Sequence, residues 1–428
     1  MHELSSLIKS DMRPALGVTE PGAIAFAVAK ARSYTKGDVE SVLMELNSGM
    51  YKNAFTCGIP NSNEVGNVFS AALGVVAGNW EKELEALADV TPEDNVAAQK
   101  LVDEDRVKVK LSGISSDIFI RATVKTASDM AVVTIKHAHT NIVKIEVNGE
   151  VLLDQDDAPA AEAVPAEPEV PLIHKYTLAQ MVDFVNTVDI SELEFIREAY
   201  RVNMELFEEG LHNPRTTFAR QLLAMNGGEV FSKDELATAQ LLCNAAIEAR
   251  VIGLDKPAMS ITGSGAHGII ATMPLYAVYK VRGLSEEMLL RATALSYLVC
   301  MYIKEYSGRL SAFCGCAIAA GTGMALAMVY MRNGGLKEME CTLNNMASSI
   351  TGMICDGGNQ GCTMKGVVAT DAAFRSVNLA FSGAFINKAH GINGATPEDT
   401  MRQMGLIASP GMVGTEKTIV EIFEDKLK

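Results

Sequence analysis

The sequence predicts an α+β fold, in which a mainly helical C-terminal region follows an N-terminal region that combines helices with an antiparallel sheet. Residues 106–153 contain short alternating runs rich in Val, Ile and Thr, which are typical of half-buried strands. Beyond residue 172, the apolar spacing and the terminal signals are those of helices. Between these parts, a Pro/Ala/Glu tract at 156–171 carries few apolar residues and marks the main boundary.

The boundary divides the chain into two regions. Residues 1–155 are expected to form the α+β region, 156–171 an exposed linker or loop, and 172–428 the mainly α-helical region.

The N-terminal region is expected to be helical up to about residue 95, with breaks rich in Gly and Asn. The strands that follow succeed one another closely, which predicts an antiparallel meander over about 106–153. Within it, Asn148-Gly149 is typical of a two-residue hairpin turn.

The C-terminal region contains five predicted helices. Residues 232–235 (Ser-Lys-Asp-Glu) match a capping box and are expected to open a helix that reaches about Val251, where Gly253 stops it. The other four helices are expected over 285–306, 311–331, 336–354 and 367–379.

Composition limits the classes of partner. The 428 residues are 48% hydrophobic and 21% charged, so the chain can bury a large core. The net charge of -15 argues against binding to nucleic acid or to an anionic membrane, because both are polyanions. We therefore expect a small-molecule substrate, with no nucleic-acid or membrane partner; a homo-oligomer is compatible with the sequence.

One uncharged stretch, 312–331, is long enough to span a bilayer. It consists largely of Ala, Gly, Cys, Thr and Met, so we interpret it as a central helix packed on all sides. The N-terminus shows no secretory signal pattern, and a cytoplasmic protein is expected. In a reducing compartment the eight cysteines stay thiols, and several are either buried or ligands.

Three cysteines are candidate metal ligands. Cys314 is expected at the start of a helix, and Cys355 and Cys362 flank a Gly-rich loop between two helices. Thiolates are the usual ligands of iron–sulfur clusters, although free cysteines are often simply buried, so spacing alone leaves both interpretations open. Cys243, Cys300, Cys341 and Cys316 are expected to pack in helices.

Several polar motifs are candidates for substrate binding. The turn Thr262-Gly263-Ser264-Gly265 can cradle a carboxylate with its backbone N–H groups, or be a plain turn. Thr19-Glu20-Pro21 predicts a helix start, with Pro21 in the first helical position. In one interpretation, the free N–H groups of this helix start bind a carboxylate and Glu20 binds an ammonium. In the other, the motif only caps the helix.

Basic and amide side chains complete the candidates. His137 and His139 are expected to alternate on one face of a strand, where they serve proton transfer or are structural. Lys52 and Asn53 precede a loop with Gly58 and Pro60. Either both residues contact the substrate, or Lys52 is an ordinary lysine in solvent.

These motifs occur together in the order found in a known family. The chain resembles the bacterial and archaeal iron–sulfur L-cysteine desulfidases, which are related to the α subunit of iron–sulfur L-serine dehydratase, and their uncharacterised homologues. The resemblance covers nearly the whole chain apart from 156–171, and its most specific part is the cysteine pattern with Met353-Ile354-Cys355-Asp356-Gly357. The matching blocks are 17–21 (Gly-Val-Thr-Glu-Pro), 52–53 (Lys-Asn), 139–141 (His-Thr-Asn), 262–265 (Thr-Gly-Ser-Gly), 309–314 (Arg-Leu-Ser-Ala-Phe-Cys), 352–357 and 362–365 (Cys-Thr-Met-Lys).

The resemblance implies a [4Fe-4S] cluster held by Cys314, Cys355 and Cys362, with one open iron. In such enzymes the substrate's β-thiol or β-hydroxyl binds that iron while a base removes the α-proton, and the aminoacrylate product hydrolyses to pyruvate and ammonia. The resemblance makes His139 and Asn141 candidate catalytic residues together with Glu20, and His139 a possible base. The expected substrate-binding residues are Thr19, Lys52, Asn53, Thr262, Ser264 and Gly265.

The chain departs from the family at Val18, where the desulfidase relatives typically have cysteine. Valine can neither ligate iron nor transfer a proton, so the substrate is left open between L-cysteine, L-serine and another β-substituted amino acid. Cys57 is a spatial substitute to consider, and the role of His267 is open. The expected function is a PLP-independent lyase; the alternatives are a non-catalytic amino-acid-binding homologue and a PLP-dependent lyase.

Overall fold

The structure, a computed structural model, describes residues 1–155, 170–308 and 310–427. Helices dominate it, and its strands lie in one six-stranded sheet near the N-terminus and one two-stranded ribbon. The predicted α+β class is confirmed. Most of the predicted linker, 156–169, lies outside the described residues, and its exposure stays a prediction.

Eight strands form the two sheets. Their bounds are β1 Arg13–Leu16, β2 Val39–Asn47, β3 Val107–Gly113, β4 Phe119–Thr126, β5 Met130–Lys136, β6 Ile142–Val147, β7 Glu150–Asp154 and β8 Pro257–Ser260.

The large sheet has the order β3-β2-β4-β5-β6-β7. Strands β4 to β7 form an antiparallel meander over the later part of the predicted range, whereas β3, which the prediction included, lies outside it. Asn148 and Gly149 adopt positive φ values of 53° and 85° in the predicted hairpin turn. The expectation of an all-helical start was wrong, because β2 inserts between β3 and β4 and pairs with β3 in parallel. Leu, Met and Glu in β2 favour helices, but alternate side chains are buried in the core.

The described residues form sixteen α-helices. In the N-terminal region they are α1 Glu3–Asp11, α2 Thr19–Arg32, α3 Ser48–Ala54, α4 Gly66–Ala77 and α5 Pro92–Asp103. In the C-terminal region they are α6 Leu178–Thr187, α7 Arg197–His212, α8 Phe218–Met225, α9 Glu235–Val251, α10 Gly265–Arg282, α11 Glu286–Ser307, α12 Gly321–Met331, α13 Leu336–Ile350, α14 Gly361–Phe381, α15 Pro397–Leu406 and α16 Val413–Asp425.

The five predicted C-terminal helices are all present with shifted ends. Helix α9 is capped by Asp234, whose side chain accepts from the Ala237 N–H, rather than by Ser232. Helix α13 stops at Ile350, because the chain then turns to pair with the segment around Cys314. Helix α14 begins at Gly361, several residues earlier than expected.

Helix α12 is the centre of the C-terminal region. Every residue of α12 except Tyr330 is buried, and a short π-helical turn, Cys316–Ala320, precedes it. The uncharged stretch 312–331 is thus enclosed by protein, as its small residues predicted. Among the described residues, no helix is both long and apolar enough to cross a membrane.

The two-stranded ribbon brings together the beginnings of two helices. Strand β1 leads into α2 and strand β8 leads into α10, and the strands pair antiparallel with Arg13 opposite Ser260. The two following turns meet, since Thr19 Oγ1 lies 3.4 Å from the carbonyl oxygen of Gly263. This junction forms one wall of the candidate site.

Candidate active site

One cavity of about 90 Å³ gathers most of the predicted site residues. It lies between the starts of α2 and α10, the loop after α11 and the loop between α13 and α14. Its volume equals about three water molecules, so it suits a small ligand. A larger groove of about 610 Å³, lined by Asn61, Asn95 and Arg215, contains none of the predicted residues. The predicted residues on the cavity wall are Thr19, Glu20, Asn53, His139, Thr262, Ser264, Cys355 and Cys362.

The three predicted cysteine ligands come from two segments that are paired with each other. The Cys314 N–H donates to the Met353 carbonyl at 3.0 Å, and the Cys355 N–H donates to the Ala312 carbonyl at 2.6 Å. Cys314 lies between Phe313 and Gly315, which both line the cavity. Backbone pairing therefore fixes Cys314 beside the loop that carries Cys355.

The loop after α13 holds Cys355 and Cys362 at the cavity. Gly357 has a φ of +99°, and a Cβ there would lie 2.4 Å from the Lys52 carbonyl oxygen, so only glycine fits. Cys362 is the second residue of α14, and its Sγ lies 3.5 Å from the Gly357 carbonyl oxygen. The tight loop therefore requires glycine at position 357.

The three thiols are near enough to shift one another's pKa. Burial and the Cys355 thiol raise the pKa of Cys362 to about 11, and Cys314 adds to the shift. Burial also raises the pKa of Cys355. A hydrogen bond with the Cys316 thiol, together with burial, raises the pKa of Cys314 well above its usual range.

A lysine supplies positive charge beside these thiols. The lysine is Lys365, and burial opposes its positive charge. Its hydrogen bond to Asp356 and the proximity of Cys362, Cys355 and Cys314 outweigh burial and raise its pKa. Lys365 and Asp356 form a short ion pair. Among the described residues, no three His, Cys, Asp or Glu side chains are placed to share a single metal ion. The donor set of three thiols with a cation suits a cluster, in which different irons take different ligands.

Lys52 is not a cavity residue, which corrects its assignment to substrate binding. Its fully buried ammonium donates to Glu416 Oε2 at 2.7 Å, to the Ser311 carbonyl at 2.9 Å and to the Cys355 carbonyl at 3.0 Å. All three donor positions of the ammonium are used. Lys52 therefore holds the cysteine-bearing segments and α16 in place.

Glu20, Asn53 and His139 form a polar group on the cavity wall, where Asn53 lies beside the cysteine loop. The Asn53 Nδ2 donates to Glu20 Oε1 at 2.8 Å, and His139 Nε2 lies 3.9 Å from the same oxygen. Helix α2 starts at Thr19 with Val18 as the N-cap, so Pro21 is the third helical residue and not the first, as was predicted. The Glu20 carboxylate is thus oriented by an amide and available to a cation.

The two histidines lie in a turn and not on a strand, which corrects their predicted placement. Strand β5 ends at Lys136, and His137 has a φ of 69°. His139 follows in the turn and lines the cavity. Asn141 is exposed, does not line the cavity, and donates from Nδ2 to the Lys136 carbonyl at 3.0 Å. Asn141 thus braces the turn that carries His139.

The predicted glycine turn is followed directly by α10, a helix that the sequence analysis did not predict. Thr262 has a φ of 52°, and its N–H donates to Asp11. Ser264 is the N-cap of α10 but makes no side-chain cap bond. The first N–H groups of an α-helix have no partner within the helix, so this end of the cavity favours an anion.

His267 lies in the first turn of α10 and lines the cavity. Its Nδ1 lies within hydrogen-bond distance of Thr262 Oγ1. Burial, followed by the positive charges of Lys304 and Arg250, lowers the pKa of His267 to about 3. The imidazole is therefore neutral at physiological pH.

Three cavity residues were missed by sequence reasoning: Arg250, Lys304 and Cys316. Arg250 and Lys304 lie inside helical patterns, where a charge is usually solvated, and only the packing of α9, α10 and α11 turns them inward. Cys316 was expected to pack, but it is half-buried on the cavity wall.

Val18 fills the position at which the resemblance implies a cysteine. It lines the cavity, and a Cβ on Gly358 would approach its Cγ1 to 2.8 Å. Cys57 does not replace that thiol, since it is fully buried, absent from the cavity wall, and directs its Sγ to the Ala54 carbonyl. Burial and the Glu20 charge raise the pKa of Cys57.

Comparison with known proteins decides the family. Residues 81–421 match the model of the serine dehydratase alpha chain. The chain belongs to the serine dehydratase alpha chain family. The resemblance is thereby confirmed for most of the chain, and it relates this protein to amino-acid lyases. Arg309, which belongs to one of the matching blocks, lies outside the described residues.

Relatives carrying the name UPF0597 protein match almost end to end. One from Clostridium botulinum strain Langeland is 39% identical over 429 residues, covering 99% of this chain and 98% of the relative. One from Caldanaerobacter subterraneus subsp. tengcongensis is 35% identical over 423 residues, covering 99% and 98%. One from Clostridioides difficile is 33% identical over 423 residues, covering 99% of each.

Proposed function

We propose that this member of the serine dehydratase alpha chain family is a PLP-independent, iron–sulfur-dependent lyase. Its substrate is a small L-amino acid with a β-thiol or β-hydroxyl group, such as L-cysteine or L-serine. The observation that carries the proposal is that Cys355 and Cys362 line one small cavity with Glu20, His139 and the start of α10, while backbone pairing holds Cys314 beside the Cys355 segment.

Cys314, Cys355 and Cys362 are the residues that would hold a [4Fe-4S] cluster. Three thiolates leave one iron open, and when bound such a cluster supplies a Lewis acid for the departing sulfide or hydroxide. Lys365 offsets the negative charge of the thiolates, and Lys52 holds the Cys355 segment against Ser311.

The chain's own residues bind the two charged groups of the amino acid. Glu20, oriented by Asn53, accepts the ammonium, while the turn at Thr262–Gly265 and the first N–H groups of α10 accept the carboxylate. Because these elements face one cavity, the substrate's Cα lies between them with its β-carbon free to face the cysteine loop.

His139 is the proposed base for the α-proton. Its imidazole is mostly buried at the cavity wall, and the Glu20 carboxylate 3.9 Å away stabilises the imidazolium that forms. The electron pair of the Cα–H bond becomes the Cα=Cβ bond, and the β-substituent leaves with the electrons of its bond to Cβ. Water then hydrolyses the aminoacrylate to pyruvate and ammonia.

The PLP-dependent alternative has less support from the cavity. Lys304 is the lysine on the described part of the wall, and its Nζ donates to the Gly308 carbonyl at 2.9 Å. The absorption spectrum of the purified protein separates PLP from an iron–sulfur centre.

Pyruvate formation tests the proposal. Anaerobically reconstituted protein is incubated with L-cysteine or L-serine, and pyruvate is measured together with sulfide. Turnover of either supports the lyase; no turnover of either favours the non-catalytic amino-acid-binding alternative. The substitution Val18→Cys, with Val18→Ala as control, tests the position at which the family has cysteine. A faster turnover of L-cysteine but not of L-serine, seen with Val18→Cys alone, would link position 18 to desulfidation.

A further inference from the structure

Arg250 is a buried cation whose Nε bonds to no anion in the described part of the chain. Arg250 is 4% exposed and lines the cavity. Its Nε is buried and has no hydrogen-bond partner in the described structure. Among the described residues, no carboxylate oxygen accepts a hydrogen bond from this Nε. An unpaired buried charge is costly, so natural proteins rarely keep one without a ligand.

The surroundings of Arg250 add positive charge. A Cβ on Gly265, the first residue of α10, would lie 2.7 Å from Arg250 Nε, so the guanidinium lies against the positive end of an 18-residue helix. Lys304 lines the same cavity. This end of the cavity therefore gathers two cations and a helix N-terminus.

The nearby carboxylates have other partners. Asp11 accepts the N–H of Thr262 and lines a different cavity. Glu20 accepts from Asn53 and faces His139. Neither carboxylate is thus bonded to the buried Nε of Arg250.

We propose that Arg250, with the first N–H groups of α10, binds the α-carboxylate of the substrate and restricts the site to amino acids whose carboxylate is free. The inference rests on the proposed function for the identity of the ligand. A guanidinium presents N–H donors in a fork that matches a carboxylate, which fixes the orientation of the amino acid as well as its charge. The unsubstituted face of Gly265 lets the guanidinium approach the helix end.

Binding of L-alanine tests the proposal without catalysis, because L-alanine has no β-leaving group. Calorimetry is performed on the full chain, both reconstituted and unloaded, with L-alanine, L-alaninamide, pyruvate and inorganic phosphate. Arg250→Met should weaken the binding of L-alanine by about 10- to 100-fold, and Arg250→Lys by less. L-alaninamide should bind weakly to the wild type and be insensitive to the substitution.

A second measurement guards against misfolding. Since Arg250→Met removes an unpaired buried charge, the unliganded variant should have a melting temperature equal to or above that of the wild type. The control Arg332→Met removes a partly buried arginine that bonds to Asn378, and it should leave L-alanine binding unchanged.

The outcomes separate this proposal from the proposed function. Wild-type affinity for L-alanine in a folded Arg250→Met variant overturns the role of Arg250 and leaves the lyase intact. Arg250-dependent binding of pyruvate without binding of L-alanine supports the carboxylate site and overturns the amino-acid substrate. Binding of phosphate with no binding of either carboxylate overturns the proposal.

Discussion

The ammonium of Lys52 lies 2.7 Å from a carboxylate oxygen of Glu416, and both side chains are buried. This pair connects α3 with α16, and the same ammonium bonds to the carbonyl of Cys355. The C-terminal helix is thereby coupled to the loop that carries two of the proposed cluster ligands.

Lys52→Met should destabilise the protein by about 3–5 kcal/mol, because it leaves the Glu416 carboxylate buried and uncompensated. Urea unfolding measures the change. The control Lys82→Met breaks an ion pair of the same 2.7 Å length with Asp89 at the surface and should cost at most about 1 kcal/mol. Equal effects of the two substitutions would contradict the structural role of Lys52.

His139→Asn should lower kcat/KM for pyruvate formation by about 100- to 10,000-fold, the usual contribution of a general base. A second readout is the exchange of the α-proton of L-alanine with deuterated solvent, followed by NMR. The control is His137→Asn in the same turn, where the exposed side chain faces away from the chemistry and Asn tolerates the positive φ. Unchanged proton exchange in His139→Asn would assign the base to another residue.

Thiol labelling of the native, unloaded protein should separate two groups of cysteines. The half-buried Cys316, Cys355 and Cys362 should react with a maleimide, whereas the buried Cys57, Cys243 and Cys300 should not. Reconstitution with iron and sulfide should then protect Cys355 and Cys362, as mass spectrometry can show. Full labelling of Cys355 after reconstitution would argue against its role as a ligand.

Acid should destabilise the protein partly through His267. Burial, followed by Lys304 and Arg250, lowers its pKa from 6.5 to about 3 in the native state, and Asp11 opposes the shift. Between these values the unfolded histidine binds more protons than the native one, so stability falls as pH falls, by at most about 1.4 kcal/mol per pH unit. Above pH 6.5 the histidine is neutral in both the native and the unfolded state, so its titration no longer lowers the stability.

His267→Gln should remove this part of the pH dependence. Urea unfolding is compared between wild type and variant across the interval from pH 6.5 down toward 3. The exposed His212 provides the control, and His212→Gln should keep the wild-type slope. A wild-type slope in His267→Gln would contradict the shift.

The sequence predicted the fold class, the meander and the helices around the cysteines, because hydrophobic period and turn residues encode them locally. It missed β2, since its Leu, Met and Glu residues favour helix by local propensity, and burial between β3 and β4 overrides them.

Within the candidate site, motif residues one or two positions from a glycine line the cavity, as Glu20, Thr262 and Cys355 illustrate, while their roles stay predictions. Lys52 was assigned to substrate because nothing local reveals that Glu416, 364 residues away, fills its donor position. Arg250 was missed for the same reason: only tertiary packing distinguishes a helical arginine at a cavity from a solvated one.

Iron and sulfide content after anaerobic reconstitution tests the central claim most directly. The wild type should bind about four irons per chain with the broad visible absorption of a [4Fe-4S] centre, and Cys355→Ala should lose most of both. Cys341→Ala, which removes a buried cysteine of α13 away from the cavity, should retain the wild-type content. Full iron and sulfide content in Cys355→Ala would contradict the three-cysteine cluster.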